Sequence, residues 1–206
     1  MRFPRLSRLW TVIILSVFIL ASIGVTSVML WGMYYRHWDS PFITNVSRAV
    51  PVPAARLGSR TVTYRAYLDS VRSVERYLQS DEAKNLGISR AMTDEDRKNA
   101  LERLIREEAL YELADARKAV LTDQQIQSAI GEFNSTGSST QEIAEFLDKN
   151  FAWTIDDFTA HVIRPVLLTR LMTGSYAADH GNDPNALEKY LDERTQRTDV
   201  VRYVKF

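Results

Sequence analysis

The chain has no cysteine among its 206 residues, which excludes disulfide stapling, thiol chemistry and a lipid-modified cysteine anchor. Histidine is scarce. His37, His161 and His180 stand far apart, without the close spacing that sets two metal ligands on one element. No nucleophile elbow, phosphate loop, dinucleotide fingerprint or His-Glu-x-x-His pair occurs. The sequence therefore assigns no catalytic, cofactor-binding or metal residue, and the expectation is a non-enzyme that needs no cofactor. An excess of positive charge is missing too: 26 basic residues face 26 acidic ones. Without a basic stripe, nucleic acid is an improbable partner. The last absence is local. Between Leu9 and Tyr35 there is no Asp, Glu, Lys, Arg or His.

That uncharged run decides where the rest of the chain works. As a helix it reaches about 40 Å, more than the ~30 Å of a bilayer's hydrocarbon, so it spans with tilt or with its ends in the headgroups. Arg2, Arg5 and Arg8 precede it without an acidic residue, a bias that keeps residues 1–8 in the cytoplasm. Trp10 at one end, and Trp31, Tyr34, Tyr35 and Trp38 at the other, suit the two interfaces. A cleaved signal peptide is the competing reading. The apolar run continues through Val28, Met29, Leu30 and Trp31, past the usual end of a signal core, and favours an uncleaved anchor over 9–35. Everything after it is expected outside the cytoplasm, with 23 basic against 26 acidic residues once the three N-terminal arginines are set aside.

Residues 36–55, with Pro41, Pro51 and Pro53, read as an extended spacer that lifts the following domain off the membrane. Residues 56–206 form one domain. Its fold class is mainly α, a helical bundle with a small two-stranded β pairing between the extended pieces at 56–63 and the β-branched end at 199–206. Thr63 caps a helix with Tyr64, Tyr67, Leu68, Val71, Val74 and Leu78 on one face. Thr93, followed by Asp94, Glu95 and Asp96, opens the longest helix, with Leu101, Leu104, Ile105, Ala109, Leu113, Ala116 and Val120 as its stripe. Thr122 to Gln125 is a capping box for a short helix with Ile126, Ile130 and Phe133 inward. Asn134 to Thr140 reads as a loop, and a helix with Ile143, Phe146 and Leu147 on one side follows. Thr154 caps a further helix to Gly174. Pro165 within it lacks the amide hydrogen that His161 would accept, so a kink is expected there. Pro184 begins the last helix.

Two patterns invite chemistry and carry little. Glu108 and Glu112 lie one helical turn apart; such pairs usually reach solvent or meet arginine. Asn45-Val-Ser and Asn134-Ser-Thr match the glycosylation sequon, a pattern that often arises by chance.

The order of segments carries a family resemblance. Ala55 to Tyr67 (Ala-Arg-Leu-Gly-Ser-Arg-Thr-Val-Thr-Tyr-Arg-Ala-Tyr) resembles the entry of the SurA-type N-terminal chaperone domain, with Leu-Gly-Ser where that family usually has Val-Asn-Gly. Leu101 to Ala114 is similar to its long helix, Val120 to Ile126 to the capped start of the next, and Asn150 to Phe158 with Ile163 to Leu168 to the module's final helix. The resemblance covers about residues 55–175. It implies kinship with SurA-, PrsA- and PpiD-like extracytoplasmic foldases, of which the membrane-anchored kind has the topology expected here. Those proteins generally carry a parvulin prolyl-isomerase domain, absent from these 206 residues, so isomerisation is not expected. Val200–Phe206 resembles either the first strand of such a domain or the strand that closes the helical module.

The resemblance implies a holdase that binds unfolded, newly exported polypeptides in an apolar groove. The alternative is an adaptor docking one defined partner in an envelope or secretion assembly. Such a groove needs exposed rings, and the outer part offers Tyr64, Tyr67, Tyr77, Tyr111, Phe133, Phe146, Phe151, Trp153, Phe158, Met172 and Tyr176. At helical spacing most of these are core. The candidates for peptide contact are Phe151, Trp153, Met172 and Tyr176, which flank the ends of the helix expected over 154–174.

Overall fold

The computed structural model describes residues 8–135 and 139–206. The apolar run forms one helix, α1 (Arg8–Arg36), whose stretch Ser16–Arg36 is apolar and long enough to cross a membrane. Its C-terminal end is not free. Met33 is fully buried in the core of the domain, and Met29, Leu30 and Tyr34 pack against that core.

The segment after α1 departs from the expected spacer. Pro41–Ala49 is a helix, α2, with Ser40 accepting from the Ile43 amide and Pro41 in the first turn, where its missing N–H costs nothing. Only Ile43 and Ser47 point inward, too few for a recognisable apolar period. The extended piece that follows is β1 (Pro53–Leu57). A turn at Gly58, φ +56°, leads into β2 (Arg60–Thr63). β3 (Val200–Arg202) pairs antiparallel with the other edge of β1, giving the order β2-β1-β3. The expected two-stranded pairing is thus a three-stranded sheet, because both early extended pieces join it.

Local capping explains where the helices begin. Thr63 starts α3 (Tyr64–Gln79) by accepting from the Ala66 amide, and Ser80 caps the short α4 (Asp81–Asn85). Thr93 and Asp96 form a reciprocal capping box at the head of α5 (Asp94–Ala116), where three acidic residues also face the positive end of the helix dipole. Thr122 with Gln125 opens α6 (Asp123–Ser135), and Ser139 with Glu142 opens α7 (Thr140–Phe151). The remainder of the expected loop, residues 136–138, lies outside the described residues, as does the Phe133 side chain.

Helix ends differ more from expectation. α5 stops at Ala116, since Lys118 takes a positive φ and turns the chain; Ala116 and Val120 are exposed rather than part of the stripe. The helix opened by Thr154 is interrupted. After α8 (Ile155–Phe158) comes a π-helical turn, Thr159–Ile163, and then α9 (Arg164–Asp179). Pro165 cannot donate to His161, and the neighbouring Arg164 amide reaches back five residues to Thr159 O, so the expected kink takes the form of a π-bulge. Gly174 sits inside α9, which ends at His180 ahead of Gly181, φ +70°. α10 (Ala186–Thr195) completes the bundle.

The core gathers around α5. Leu101, Ile105 and Ala109 are fully buried and meet Tyr64, Tyr67 and Leu68 of α3, Met172 of α9, Leu187 of α10 and Leu57 of the sheet. Each buried aliphatic side chain of this size contributes about 1.5–3 kcal/mol. The chain's last residues close the molecule onto α1. The Lys205 amide donates to Tyr34 O at 2.9 Å, Tyr203 stacks on Tyr34, and Phe206 stacks on His37.

Candidate functional site

A ladder of aromatic rings crosses the face where α3, α7 and the π-bulge meet. Tyr77 of α3 stacks on Phe151 at the end of α7, with centroids 5.0 Å apart and planes 7° from parallel. Phe151 stacks on Trp153 at 5.1 Å, and Trp153 leans on His161 of the π-bulge at 5.5 Å. Phe146, itself exposed, meets the edge of Phe151. Backbone geometry makes this possible. Ala152 adopts φ +57°, which bends the chain sharply enough for residues 151 and 153 to present their rings to one another. The Ala152 and Trp153 amides return to Asp148 O and Leu147 O, and Arg76 Nε donates to Lys149 O, fixing α7 to α3. Tyr77, Phe151, Trp153 and His161 are all half-buried, packed on one side and open on the other.

His161 joins this ladder to a groove of about 340 Å³ between α5, the π-bulge with α9, and α10. Leu110, Val162, Pro165, Val166 and Leu191 supply apolar wall; Arg103, Arg106, Glu107 and Glu188 supply the polar rim. On the other side of α9 a second groove, of about 460 Å³, is walled by Leu121, Ala129, Leu167 and Leu171 together with Gln125 and Arg170. Val166 and Leu171 are exposed, so α9 offers apolar surface in both directions.

Burial shapes the titration of this region. The Glu107 carboxyl is pushed up to about 7 by burial and by the charge of Glu108, against the pull of Arg103. Burial also holds the His161 imidazole below its ordinary value, with Arg103 acting in the same sense, and raises the Tyr111 hydroxyl to about 12. At neutral pH a neutral imidazole tilted against an indole is a weakly polar platform, suited to apolar contact.

The four sequence candidates do not form one site. The structure brings Phe151 and Trp153 together; Met172 and Tyr176 lie elsewhere. Met172 is 1 % exposed and belongs to the core. Tyr176 is 8 % exposed, stacked on His180 at 4.1 Å and covered by the Arg117 guanidinium at 4.6 Å. Both point inward from α9, which carries Tyr176 on past Gly174, so neither side chain is open at the surface. Tyr77, Phe146 and His161 were not among the candidates. Tyr77 and Phe146 lie on outward edges of amphipathic helices, a placement that periodicity alone reads as incidental.

The paired glutamates of α5 are structural. Glu108 accepts from Arg60 at 2.9 Å, and Glu112 is engaged by Arg194. Of the two sequons, Asn45 lies on α2 with Ser47 buried behind it, and the second extends beyond the described residues. Among the described residues no group of three or more His, Asp or Glu side chains is placed to hold a metal ion.

Residues 5–172 match the SurA-like N-terminal domain family, most of the chain. The chain belongs to that family. No curated protein and no solved structure matches it. The SurA-like match begins before α1, so the apolar helix lies within the matched stretch, as does the whole aromatic ladder. α10 and β3, which complete the groove beside His161 and the sheet, lie beyond it.

Proposed function

We propose that this SurA-like domain is a membrane-anchored, extracytoplasmic holdase that binds unfolded, newly exported polypeptides without catalysis. The observation that carries the reading is the half-open ladder Tyr77–Phe151–Trp153–His161 running into the groove along α9. A holdase must accept clients that share no sequence. Flat rings and an aliphatic trough satisfy that need, since they reward apolar side chains without demanding one hydrogen-bond pattern. Phe151 and Trp153 are the proposed peptide contacts. The uncharged helix with three arginines before it supports an inner-membrane, single-pass anchor with the N-terminus in the cytoplasm and residues 36–206 outside.

The test is aggregation of a chemically unfolded reporter protein in the presence of the full chain reconstituted in lipid nanodiscs. Slowed aggregation at stoichiometric amounts is expected, with the effect weakened when Phe151 and Trp153 are both replaced by Ala. No protection, together with tight binding to a single envelope protein, supports the adaptor reading instead.

A further inference from the structure

The chain turns back on itself after α1. His37 takes φ +51°, the Trp38 amide donates to Gly32 O at 3.2 Å, and the Trp38 ring lies so close that a Cβ on Gly32 would meet it at 2.3 Å. The first turn of α2 therefore runs alongside α1 rather than beyond it. Trp38, Phe42 and Ile43 face Gly24, Val25, Val28 and Met29 across an apolar groove of about 410 Å³. Phe42 is 65 % exposed although nothing in a soluble setting rewards that.

The depth of this groove follows from α1 itself. Met33 is buried in the domain core and Met29 and Leu30 pack against it, so the helix's freely exposed apolar surface ends near Val28. Counting back from Val28 to Leu9 gives about 20 residues and about 30 Å, the thickness of the hydrocarbon. The outer edge of the hydrocarbon then falls at Val28, the level of Phe42. Just above it Trp31, Tyr35 and Trp38 are exposed, and the Arg36 guanidinium sits 5.4 Å from the Trp31 ring. Exposed indoles and phenols beside an arginine are the chemistry of a phosphate headgroup zone, and an apolar hollow directly beneath is the chemistry of a chain end.

We infer that the first turn of α2 dips into the outer leaflet and that the α1–α2 groove holds a phospholipid acyl chain, its phosphate near Arg36. This gives the domain a second membrane contact and fixes its tilt. The inference rests on α1 being the anchor, and the experiment separates the two. With no native cysteine, single cysteines at Leu20, Val25, Phe42 and Val201 in the full chain take an environment-sensitive fluorophore. The labelled chains are reconstituted in phosphatidylethanolamine–phosphatidylglycerol vesicles containing lipid with a nitroxide on its acyl chain. Labels at Leu20, Val25 and Phe42 are expected to lose most of their emission; the label at Val201, on the sheet, keeps it. Melting followed by circular dichroism is expected to be unchanged for Phe42→Cys, an exposed position. Quenching at Leu20 without quenching at Phe42 overturns this inference and leaves the anchor standing. No quenching at either position removes both. Energy transfer between Phe42 labels on separate copies, with lipid quenching lost, shows that a second copy fills the groove and also overturns it.

Discussion

Arg194 of α10 is held in a two-pronged grip by Glu112 of α5, Nε to Oε2 at 2.6 Å and Nη2 to Oε1 at 3.1 Å. The same guanidinium binds Asp199 just before β3, at 3.0 Å from Nη1, and only 4 % of the Arg194 side chain is exposed. Four parts of the fold meet there, because Gly58 of the β1–β2 turn lies against Arg194 as well. Glu112 and Asp199 keep partial access to water, which softens the loss of their partner. Arg194→Met is expected to lower stability by about 2–3 kcal/mol in urea unfolding, somewhat less than for a fully buried pair. Gly58→Ala is expected to lower it by about 1–2 kcal/mol, since it adds a Cβ at positive φ only 3.2 Å from the Arg194 Nη2.

Burial outweighs the 3.8 Å contact of Glu107 with Arg103 and gives the fold a pH dependence opposite to that of an exposed salt-bridged carboxylate. The Glu107 proton is held to about pH 7 in the folded chain, against the ordinary value of 4.5. Below the ordinary value both folded and unfolded chains carry the proton; between the two values only the folded chain does. The group therefore makes the fold progressively less stable as pH rises from 4.5 through 7, and the whole loss is present above that. Glu107→Gln is expected to match the parent near pH 4 and to exceed it by roughly 1–2 kcal/mol at pH 8, measured by chemical unfolding across that range. A constant difference across pH would show that the carboxyl does not titrate in this window.

Tyr64 and Tyr67, one turn apart on α3 and both fully buried, should respond oppositely to loss of their hydroxyls. The Tyr64 hydroxyl lies 2.9 Å from Met33 O and 3.1 Å from Trp38 O, tying α3 to the end of α1. The Tyr67 hydroxyl is buried and finds no hydrogen-bond partner among the described residues. Tyr64→Phe is expected to cost about 1–2 kcal/mol, whereas Tyr67→Phe leaves stability unchanged or raises it by up to about 1 kcal/mol. Thermal melts of the two variants side by side make the comparison.

A soluble fragment beginning at residue 40 lacks Met33 and Tyr34, and with them part of its core. A fragment beginning at residue 28 keeps both. The shorter fragment is expected to be less stable by about 2–5 kcal/mol, the usual loss when a large buried side chain is removed. Equal melting temperatures would show that the end of α1 is not integral to the domain.

Helix starts were legible because capping is local. Thr63, Thr93, Thr122 and Thr154 each act as the hydrogen-bonding cap that their position in the sequence predicts. Ends and short elements were less so. α5 stops because Lys118 turns the chain, and no proline or glycine there announces it. Ser40-Pro41 is a good helix entry, yet α2 buries only two side chains and shows no period. Gly174 reads as a terminator, but packing of Leu168, Met172 and Tyr176 carries α9 through it. At the site, the Phe151–Trp153 contact depends on the left-handed backbone of Ala152, which alanine's chemistry does not favour and tertiary packing imposes. Met172 and Tyr176 fall on the inward face of α9, whereas Phe151 ends α7 and Trp153 follows the Ala152 turn, a difference in element that residue type does not reveal.

The docking of Tyr203, Lys205 and Phe206 onto Tyr34 and His37 brings both ends of the domain to one pole. Polypeptide joined after Phe206, whether a fluorescent tag or a further folded unit, would set out from beside the C-terminal end of α1. With α1 as the anchor proposed above, its working space would be the layer of solvent beside the bilayer.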